Sequence, residues 1–252
     1  MKKEQLIKIK TNDELQALRK SGKILASIRE DIKRSLKPGI MTQEIDKKAE
    51  KLIRRAKAQS AFKGYRGYPA CICTSINEEV VHGIPANRIL KEGDILSIDI
   101  GIIVDQYYAD TAFTIGIGPI DARWQRLIDV TKVSLDKGIA QAKAENHLSD
   151  ISHAIQSFVE SHGFSVVREF VGHGIGKALH EDPEIPNFGR PHQGPLLKEG
   201  MVLAIEPMVN AGSWQTKILN DGWTVVTQDG QPSAHFEHTV AVTGKGPEIF
   251  TQ

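Results

Sequence analysis

Hydrophobic residues follow two different spacings along the chain, and each spacing predicts a different kind of element. Near the N-terminus, leucine and isoleucine recur at helical spacing behind Thr11-x-x-Glu14, a sequence typical of a helix start. This spacing predicts one helix that ends at Lys37-Pro38-Gly39 and a second from about Thr42 to Ala58. From Ala70 to Gly118, β-branched and aromatic residues alternate with polar ones, which predicts strands and hairpins.

The C-terminal half repeats this order of elements. A long helix is predicted from Asp121 to about Ala144, and a shorter one over roughly Ser149 to Ser161. Strand-like segments dominate from Met201 to Thr243, where Asp229-Gly230 is typical of a hairpin turn. The predicted order is therefore helix, helix and sheet in each half of the chain.

The two halves also match residue by residue. Leu90–Asp99 and Leu197–Glu206 are identical at six of ten positions with an offset of 107, and three further pairs are conservative. The helices that precede them align at an offset of 106, which indicates two copies of one unit. Either copy alone would leave a sheet edge uncovered. We therefore expect a single catalytic domain over residues 1–252, with pseudo-repeats at approximately 12–118 and 119–245.

Composition and charge exclude several classes of protein. The 252 residues include 32 Lys+Arg and 31 Asp+Glu, and a net charge of +1 argues against a nucleic-acid-binding protein. No apolar run approaches the ~18 residues of a membrane span, and Met1–Gln5 is polar where a signal peptide would become apolar. Cys71 and Cys73 are too few for a disulfide framework and have no further zinc ligands nearby. We expect a cytoplasmic protein in which both cysteines are small buried side chains.

Acidic residues stand in apolar surroundings in both halves. The two repeat segments end in Asp99 and Glu206. Asp99 and Asp110 flank a predicted hairpin, and a turn at Val104-Asp105 would bring the two aspartates directly opposite each other. Like charges in that position destabilise a hairpin, and burying them unpaired costs more. Either one or both aspartates face solvent, or a bound cation lies between them.

Further candidate ligands come from the second half. Glu206 and Glu237 each interrupt a strand-like apolar run, and His173 lies between glycines. Carboxylates with one imidazole and no thiolate form a hard site that suits Mn, Fe(II), Co or Zn. Four acids suit two ions that share bridging carboxylates, and such a pair supports hydrolysis.

Ten short segments carry a resemblance to a known family. In chain order they are Gly64–Pro69, Ser75–Asn77, His82–Pro85, Ser97–Asp99, Asp110–Ala112, Gly172–Gly176, His180–Glu181, Ile205–Met208, Asp221–Val225 and Phe236–Thr239. With these segments the chain resembles type I methionine aminopeptidases of the M24 metallopeptidases over essentially its whole length. The resemblance implies the α+β pita-bread fold, an antiparallel sheet with helices on its outer face and two halves related by a pseudo-twofold axis.

The resemblance also implies a metal centre. The cofactors would be two divalent ions (Co, Mn, Fe(II) or Zn), held by Asp99, Asp110, His173, Glu206 and Glu237. Asp110 and Glu237 would bridge the two ions. Asp99 would complete the site of one ion, whereas His173 and Glu206 would complete the site of the other.

Catalytic and substrate-binding roles follow from the same resemblance. In the family mechanism, Glu206 is the general base that accepts the proton of the water bridging the metals. His180 would steady the oxygen of the tetrahedral intermediate, and His82 would contact the scissile peptide or its leaving nitrogen. The free α-amine of the substrate would bind a metal. The methionine pocket would be lined by Tyr65, Tyr68, Cys73, Leu179 and Trp223. Ordinary core packing is the alternative for Tyr65 and Trp223.

The implied activity is removal of the initiator methionine from nascent proteins and peptides whose second residue is small. The partner would be the N-terminal methionine of nascent polypeptides. A transient contact with the ribosome is compatible with this activity. We expect a monomer with no nucleic-acid specificity and no membrane partner. The chain departs from the family pattern at two positions, because several relatives carry an aromatic residue at Leu179 and glutamine is usual at His235.

Three other functions stay open at this point. A prolidase or aminopeptidase P would share the metal ligands, but those chains carry an extra N-terminal domain, and only about 80 residues precede His82. A non-catalytic binding protein on the same fold would have lost ligands. A nucleotide-binding protein would use the glycines around His173, but these lack the dinucleotide spacing and the Lys-Ser/Thr pair of a Walker motif.

Overall fold

The computed structural model describes residues 7–252, and the polar segment Met1–Gln5 lies outside this range. Within these residues the helices are α1 Asn12–Lys33, α2 Thr42–Arg55, α3 Ala122–Ile139 and α4 Leu148–Ser161. At the start of α1, the Thr11 hydroxyl accepts the backbone N–H of Glu14, and the Glu14 carboxylate accepts that of Thr11. The predicted helices are confirmed, although two of them end early. α2 ends before Ala58, where Lys57 adopts a left-handed conformation with φ of 55°, and α3 ends at Ile139 rather than near Ala144.

Strands account for most of the remaining chain. They are β1 Gln59–Ser60, β2 Ile72–Ile76, β3 Glu79–Val81, β4 Ile95–Val104, β5 Tyr107–Gly116, β6 Ser165–Val166, β7 Gly172–Gly174, β8 Glu181–Ile185, β9 Val202–Ile205, β10 Met208–Asn210, β11 Thr216–Ile218, β12 Val225–Thr227, β13 Ser233–His235, β14 Glu237–Thr243 and β15 Gly246–Ile249. The main sheet has nine strands and runs β1-β4-β5-β14-β9-β7-β8, with β2 added to β4 and β15 added to β14. Its pairs are antiparallel, as predicted.

Strand β4 shows how the sequence divides the sheet into two faces. Successive side chains of a strand point to opposite sides. Ile98 and Ile100 therefore pack with α1 and α2 in one buried hydrophobic cluster. The residue between them, Asp99, points to the opposite face. The apolar positions thus bind the helices, and the polar position between them is left for the functional face.

The two helix pairs cover different parts of the sheet. α1 and α2 pack on β2, β4 and β5 through one cluster of buried side chains. α3 and α4 pack on β9 and β14 through a second and larger cluster. Gly138 lets the helices of the second pair approach closely, because a Cβ at this position would lie 2.8 Å from Ile155. This arrangement matches the α+β class expected from the sequence.

The hairpin between β4 and β5 differs from the prediction. Its turn lies at Asp105-Gln106, both with positive φ (49° and 71°), rather than at Val104-Asp105. Asp99 consequently pairs with Ala112, and Asp110 pairs with Gly101. The two aspartates are not directly opposite each other. Because the register moves by two residues, they still point to the same face of the sheet.

A second prediction concerned Asp229-Gly230, which does form a turn but not a hairpin. The strand before it, β12, pairs with β3 and β11, whereas the strand after it, β13, pairs with β10. The Asp229 side chain accepts backbone N–H groups from Ser213 and Gln231. The turn therefore joins two separate three-stranded sheets. The residues of a turn do not determine which strands pair on either side of it, so the sequence could not predict this connection.

Two further expectations concern the cysteines and the helices. Cys71 and Cys73 are free and buried, as predicted. No helix in the described part of the chain is both long and apolar enough to cross a bilayer. The internal duplication with boundaries near residue 118 stays a prediction.

Candidate metal centre and adjoining pocket

Five polar side chains come from five neighbouring strands of the main sheet. In sheet order β4, β5, β14, β9 and β7, they are Asp99, Asp110, Glu237, Glu206 (which directly follows β9) and His173. These are the residues for which the sequence predicted metal ligation. They are far apart along the chain, and the antiparallel order of the sheet brings them to one place.

Ala112 lies at the middle of this arrangement. It pairs with Asp99 on one side and with Glu237 on the other. Asp110 precedes Ala112 by two residues, so its side chain points to the same face. A methyl side chain at position 112 leaves room between the three carboxylates. The backbone of Asp110 is held by Thr239, whose hydroxyl accepts its N–H at 2.9 Å and donates to its carbonyl oxygen at 2.8 Å.

Distances between the side chains suit a cation. Asp110, His173 and Glu237 each offer a ligand atom, and these atoms lie within 4.8 Å of one another. His173 Nε2 lies 3.5 Å from Glu206 Oε1. Asp99 Oδ1 and Glu237 Oε1 are buried without a hydrogen-bond partner among the described residues.

The carboxylates also lack a compensating positive charge. In residues 7–252, no lysine or arginine forms an ion pair with any of the four acids. Buried carboxylates are normally paired with a cationic side chain or bound to a metal ion. The orphaned oxygens of Asp99 and Glu237 therefore fit a divalent cation.

The electrostatics of the cluster point the same way. The pKa of Asp99 is raised to about 7, chiefly by burial, with His235 lowering it and the neighbouring Glu206 raising it. Burial and then Asp99 raise the pKa of Asp110. Burial raises the pKa of Glu206, and burial followed by Asp110 raises that of Glu237. Without a cation the cluster holds protons near neutral pH.

His173 is oriented as a metal ligand requires. Its Nδ1 lies 2.9 Å from the carbonyl oxygen of Gly174, so Nδ1 carries the proton and Nε2 keeps its lone pair. Burial lowers the pKa of His173 to about 3, with a further contribution from His180. The ring is therefore neutral. Gly174 itself is required because a Cβ there would lie 2.2 Å from the carbonyl oxygen of Asp182.

The two other predicted histidines lie beside this cluster. The ring of His180 is 4.3 Å from that of His173, and its Nδ1 is 2.8 Å from the Tyr65 hydroxyl. Burial lowers the pKa of His180, and Arg66 lowers it further. His82 has a positive φ of 61°, and burial lowers its pKa to about 4. Its ring packs edge-on against Phe170.

A cavity of about 290 Å³ adjoins the cluster. The structure gathers every site residue named from the sequence around it, namely Tyr65, Tyr68, Cys73, His82, Asp99, Asp110, His173, Leu179, His180, Glu206, Trp223 and Glu237. The sequence reasoning missed three lining residues, Phe62, Arg66 and Phe170. Arg66 lies inside a matched segment, and Phe170 lies two residues before the one that contains His173. Proximity to these segments was thus the available signal.

The apolar end of the cavity is built from aromatic and aliphatic groups. Tyr68 and Trp223 meet edge to face with ring centroids 5.0 Å apart. The Tyr68 hydroxyl lies within hydrogen-bonding distance of the carbonyl oxygens of Ile72 and Gly83, which turns it away from solvent. Burial raises the pKa of the Cys73 thiol, so the thiol stays neutral and acts as an apolar wall.

Fold and site together define a metal-dependent hydrolase, and comparison with known proteins narrows the class. The model of metallopeptidase family M24 matches residues 16–244. Methionine aminopeptidase 1 of Bacillus subtilis is 54% identical over 98% of this chain and 100% of its own length. Methionine aminopeptidase of Clostridium perfringens is 52% identical over 98% of this chain and 99% of its own.

Solved structures give the same result. The crystal structure of methionine aminopeptidase from Thermotoga maritima has a TM-score of 0.96 at 44% identity, covering 98% of this chain and 100% of that one. A prolidase from Pyrococcus horikoshii shares the fold, with a TM-score of 0.78 at 19% identity over 97% of this chain and 63% of its own. The chain therefore belongs to metallopeptidase family M24 and is a metallo-exopeptidase with the pita-bread fold. The resemblance to type I methionine aminopeptidases inferred from the motifs is confirmed.

Proposed function

We propose that this protein removes the N-terminal methionine from nascent polypeptides and peptides, with a preference for a small second residue. One observation carries the proposal. A cluster of buried acids with one imidazole lies at the edge of an apolar cavity that is lined by aromatic rings. The cluster supplies hydrolytic chemistry, and the cavity supplies selectivity for a flexible apolar side chain. The names of the relatives support methionine as that side chain.

The metal ligands follow from the donor set. Two divalent ions, Co, Mn, Fe(II) or Zn, would be held by Asp99, Asp110, His173, Glu206 and Glu237, with Asp110 and Glu237 between them. Such ions polarise a carbonyl group and lower the pKa of a water molecule. Proton transfer and binding of the peptide group are assigned to side chains of the protein.

Glu206 is the residue proposed to accept the proton of the attacking water. Its carboxylate is the one in the cluster that stands just beyond a strand end, after β9. Burial raises its pKa, so this carboxylate holds a proton more tightly than an exposed one, as a general base requires. It then passes this proton to the leaving nitrogen.

His180 and His82 are proposed to bind the peptide group. A neutral imidazole can donate one hydrogen bond to the oxygen of the tetrahedral intermediate. The contact between the Tyr65 hydroxyl and His180 Nδ1, at 2.8 Å, favours a proton on the other nitrogen of that ring. His82 is fixed by edge-on contacts with Phe170 and Trp223, and we assign it to the scissile peptide or the leaving nitrogen.

The cavity accounts for the proposed substrate range. Its volume of about 290 Å³ is at the low end for ligand pockets, which suits one side chain. Tyr65, Tyr68, Cys73, Leu179 and Trp223 would contact the methionine side chain.

Two unpaired buried cysteines suit a reducing compartment, so we assign the activity to the cytoplasm. A monomer that meets nascent chains at the ribosome is part of the same proposal.

The test uses purified chain loaded in turn with Co, Mn, Fe(II) and Zn under anaerobic conditions. We expect release of methionine from a Met-Ala peptide and no cleavage of Ala-Pro. Glu206→Gln should abolish turnover, and Glu160→Gln on the exposed face of α4 should not change it. Cleavage of Ala-Pro instead would assign the chain to the proline-directed enzymes. If the Met-Ala peptide stayed intact with every metal, the protein would instead be assigned as a non-catalytic binding protein.

A further inference from the structure

His235 is a buried histidine to which the proposed function gives no role. It is the last residue of β13, only 1% of its surface is exposed, and it lies two residues before Glu237. Its Nε2 is buried and has no hydrogen-bond partner among residues 7–252. Buried polar atoms nearly always have a partner, so an unpartnered one needs an explanation.

The nearest polar atom explains where this nitrogen points. His235 Nε2 lies 3.5 Å from Glu206 Oε2. The other carboxylate oxygen, Oε1, lies 3.5 Å from His173 Nε2. Glu206 thus has one imidazole on each oxygen. The two rings are not equivalent, because His173 already carries its proton on Nδ1, against the carbonyl oxygen of Gly174.

This difference makes His235 the one donor available to Glu206. A neutral ring has one N–H, and on His173 it points away from the carboxylate. No other side chain in the described range donates a hydrogen bond to the Glu206 carboxylate. The donor must therefore come from His235 Nε2–H. A separation of 3.5 Å is long for a hydrogen bond, and such contacts commonly shorten when a site is loaded.

The backbone of His235 is fixed well enough to aim its ring. The Thr114 hydroxyl accepts its N–H at 2.8 Å and donates to its carbonyl oxygen at 2.8 Å. That hydroxyl lies 2.8 Å from the hydroxyl of Ser97. Pairing with Met208 on β10 holds the other edge. Two sheets thus fix the residue, and rotation about the side chain is its main freedom.

We propose that His235 is a positioning residue, whose Nε2–H donates to Glu206 Oε2 and holds that carboxylate in the orientation needed for metal binding and proton transfer. The inference rests on the proposed function, because it assigns His235 to the group proposed as base and ligand. What matters at position 235 is an N–H group at the place of Nε2, and an imidazole ring as such is not required.

Three substitutions separate the donor from the ring. The amide nitrogen of glutamine is three bonds from Cβ, as Nε2 of histidine is, whereas that of asparagine is only two. His235→Gln can therefore make the same contact, His235→Asn cannot reach it, and His235→Leu fills the space without a donor. His153→Leu on the exposed face of α4 is the matched control.

The first measurement is the affinity of the metal-free proteins for Mn²⁺ by calorimetry. Loss of an outer partner of a metal ligand typically weakens binding about 10- to 100-fold. We expect that loss in His235→Leu and His235→Asn, and a change below about threefold in His235→Gln. The second measurement is turnover of the Met-Ala peptide, where kcat should fall about tenfold or more in the first two variants with KM nearly unchanged.

Melting temperatures of the metal-free variants separate positioning from folding. The proposal would be overturned if Mn²⁺ affinity and kcat fell in proportion to the melting temperature. It would also be overturned if both quantities were equal in the glutamine and asparagine variants. Parent-like affinity and kcat in His235→Leu would overturn it as well, with the proposed function intact. A parent chain that neither binds Mn²⁺ nor cleaves Met-Ala would instead remove the proposed function and this inference together.

Discussion

The phenolic oxygen of Tyr65 lies 2.8 Å from Nδ1 of His180. Tyr65 belongs to a single turn of 3₁₀ helix, Tyr65–Gly67, whereas His180 directly precedes β8, so two distant segments meet at this contact. A tyrosine that donates to Nδ1 leaves the ring proton on Nε2. The sequence assigned these residues separately, one to the methionine pocket and one to catalysis, and the contact couples the two roles.

The first prediction concerns this contact. Tyr65→Phe removes the hydroxyl and keeps the ring, so His180 loses the partner that selects its tautomer. A hydrogen bond of this kind contributes about 1 kcal/mol, and we expect kcat on a Met-Ala peptide to fall about five- to tenfold. Tyr107→Phe is the control, because that hydroxyl reaches Glu14, 3.5 Å away, and does not line the cavity. Equal kcat in both variants would contradict the assignment.

The amino-acid sequence predicted the helices and the set of clustered side chains for identifiable reasons. An acid such as Asp99 inside an apolar strand pattern stands out. Glu206 ends a segment that matches the one ending in Asp99, and this match predicted that the two strand ends lie close together. The register of the β4–β5 hairpin could not be predicted in the same way. Asp105-Gln106 forms a two-residue turn with positive φ at both positions, where Asn-Gly is the usual signal.

Other parts of the site depend on contacts that no local pattern encodes. Phe170 and Phe62 reach the cavity from loops, so their directions follow from how those loops fold. His235 lies beside Glu206 at the point where the chain passes from β13, in one sheet, to β14, in another. Tertiary arrangement, rather than residue type, decides these positions.

A second prediction tests the acids as metal ligands. Asp99→Asn removes a charge whose buried oxygen has no partner among the described residues. We expect its affinity for Mn²⁺ to fall by about tenfold or more. The metal-free variant should melt at a higher temperature than the metal-free parent at pH 8, because repulsion from Glu206 is relieved. Asp136→Asn, on the exposed face of α3, should change neither quantity.

The third prediction concerns pH. Burial raises the pKa of Asp99 to about 7 in the metal-free protein, so protons compete with metal ions below that pH. We expect the affinity for Mn²⁺ to weaken as pH falls from 8 to 6. Calorimetry in buffers of different ionisation enthalpy should detect protons released on binding at pH 7. Affinity independent of pH in this range would show that the acids are already ionised.

The stability of the metal-free protein should depend on pH more strongly than that of the metal-bound protein. The pKa of Asp99 is higher in the folded metal-free protein than the value of about 3.9 in an unfolded chain. Its contribution to the free energy of unfolding is therefore fully present below about pH 4 and is lost as pH rises through about 7. With metal bound the ligands are ionised in the folded protein, as they are in the unfolded chain above about pH 5, so this loss should disappear and stability should stay nearly constant from there to pH 7. Chemical denaturation at several pH values, with and without Mn²⁺, measures both slopes.

A fourth prediction concerns the pocket wall at Leu179. This side chain is 3% exposed and lines the apolar end of the cavity. Leu179→Ala should reduce kcat/KM for methionine about tenfold, because lost contact with an apolar substrate group costs roughly 1–3 kcal/mol. Leu219→Ala, at an exposed leucine outside the cavity, is the control. An unchanged kcat/KM in Leu179→Ala would place the methionine side chain elsewhere.

The last prediction concerns an ion pair behind His180. Lys10 Nζ lies 2.5 Å from Glu181 Oε2, and both side chains are about 5% exposed or less. The same carboxylate accepts the backbone N–H groups of Lys177 and Ala178, so it ties the N-terminal segment to the loop before His180. Lys10→Met leaves the buried Glu181 carboxylate with only a longer ion pair to the exposed Lys8, at 3.5 Å, among the described residues. It should lower the free energy of unfolding by up to about 3–5 kcal/mol.

The double variant decides whether that loss comes from the buried charge of Glu181. Lys10→Met combined with Glu181→Gln has no buried charge and keeps an acceptor for the two backbone N–H groups. We therefore expect urea denaturation to recover most of the stability lost in Lys10→Met alone. Turnover should recover in parallel, because the loop that carries His180 is again held. If the double variant is as unstable as the single one, the methylene contacts of Lys10 rather than its charge hold the segment.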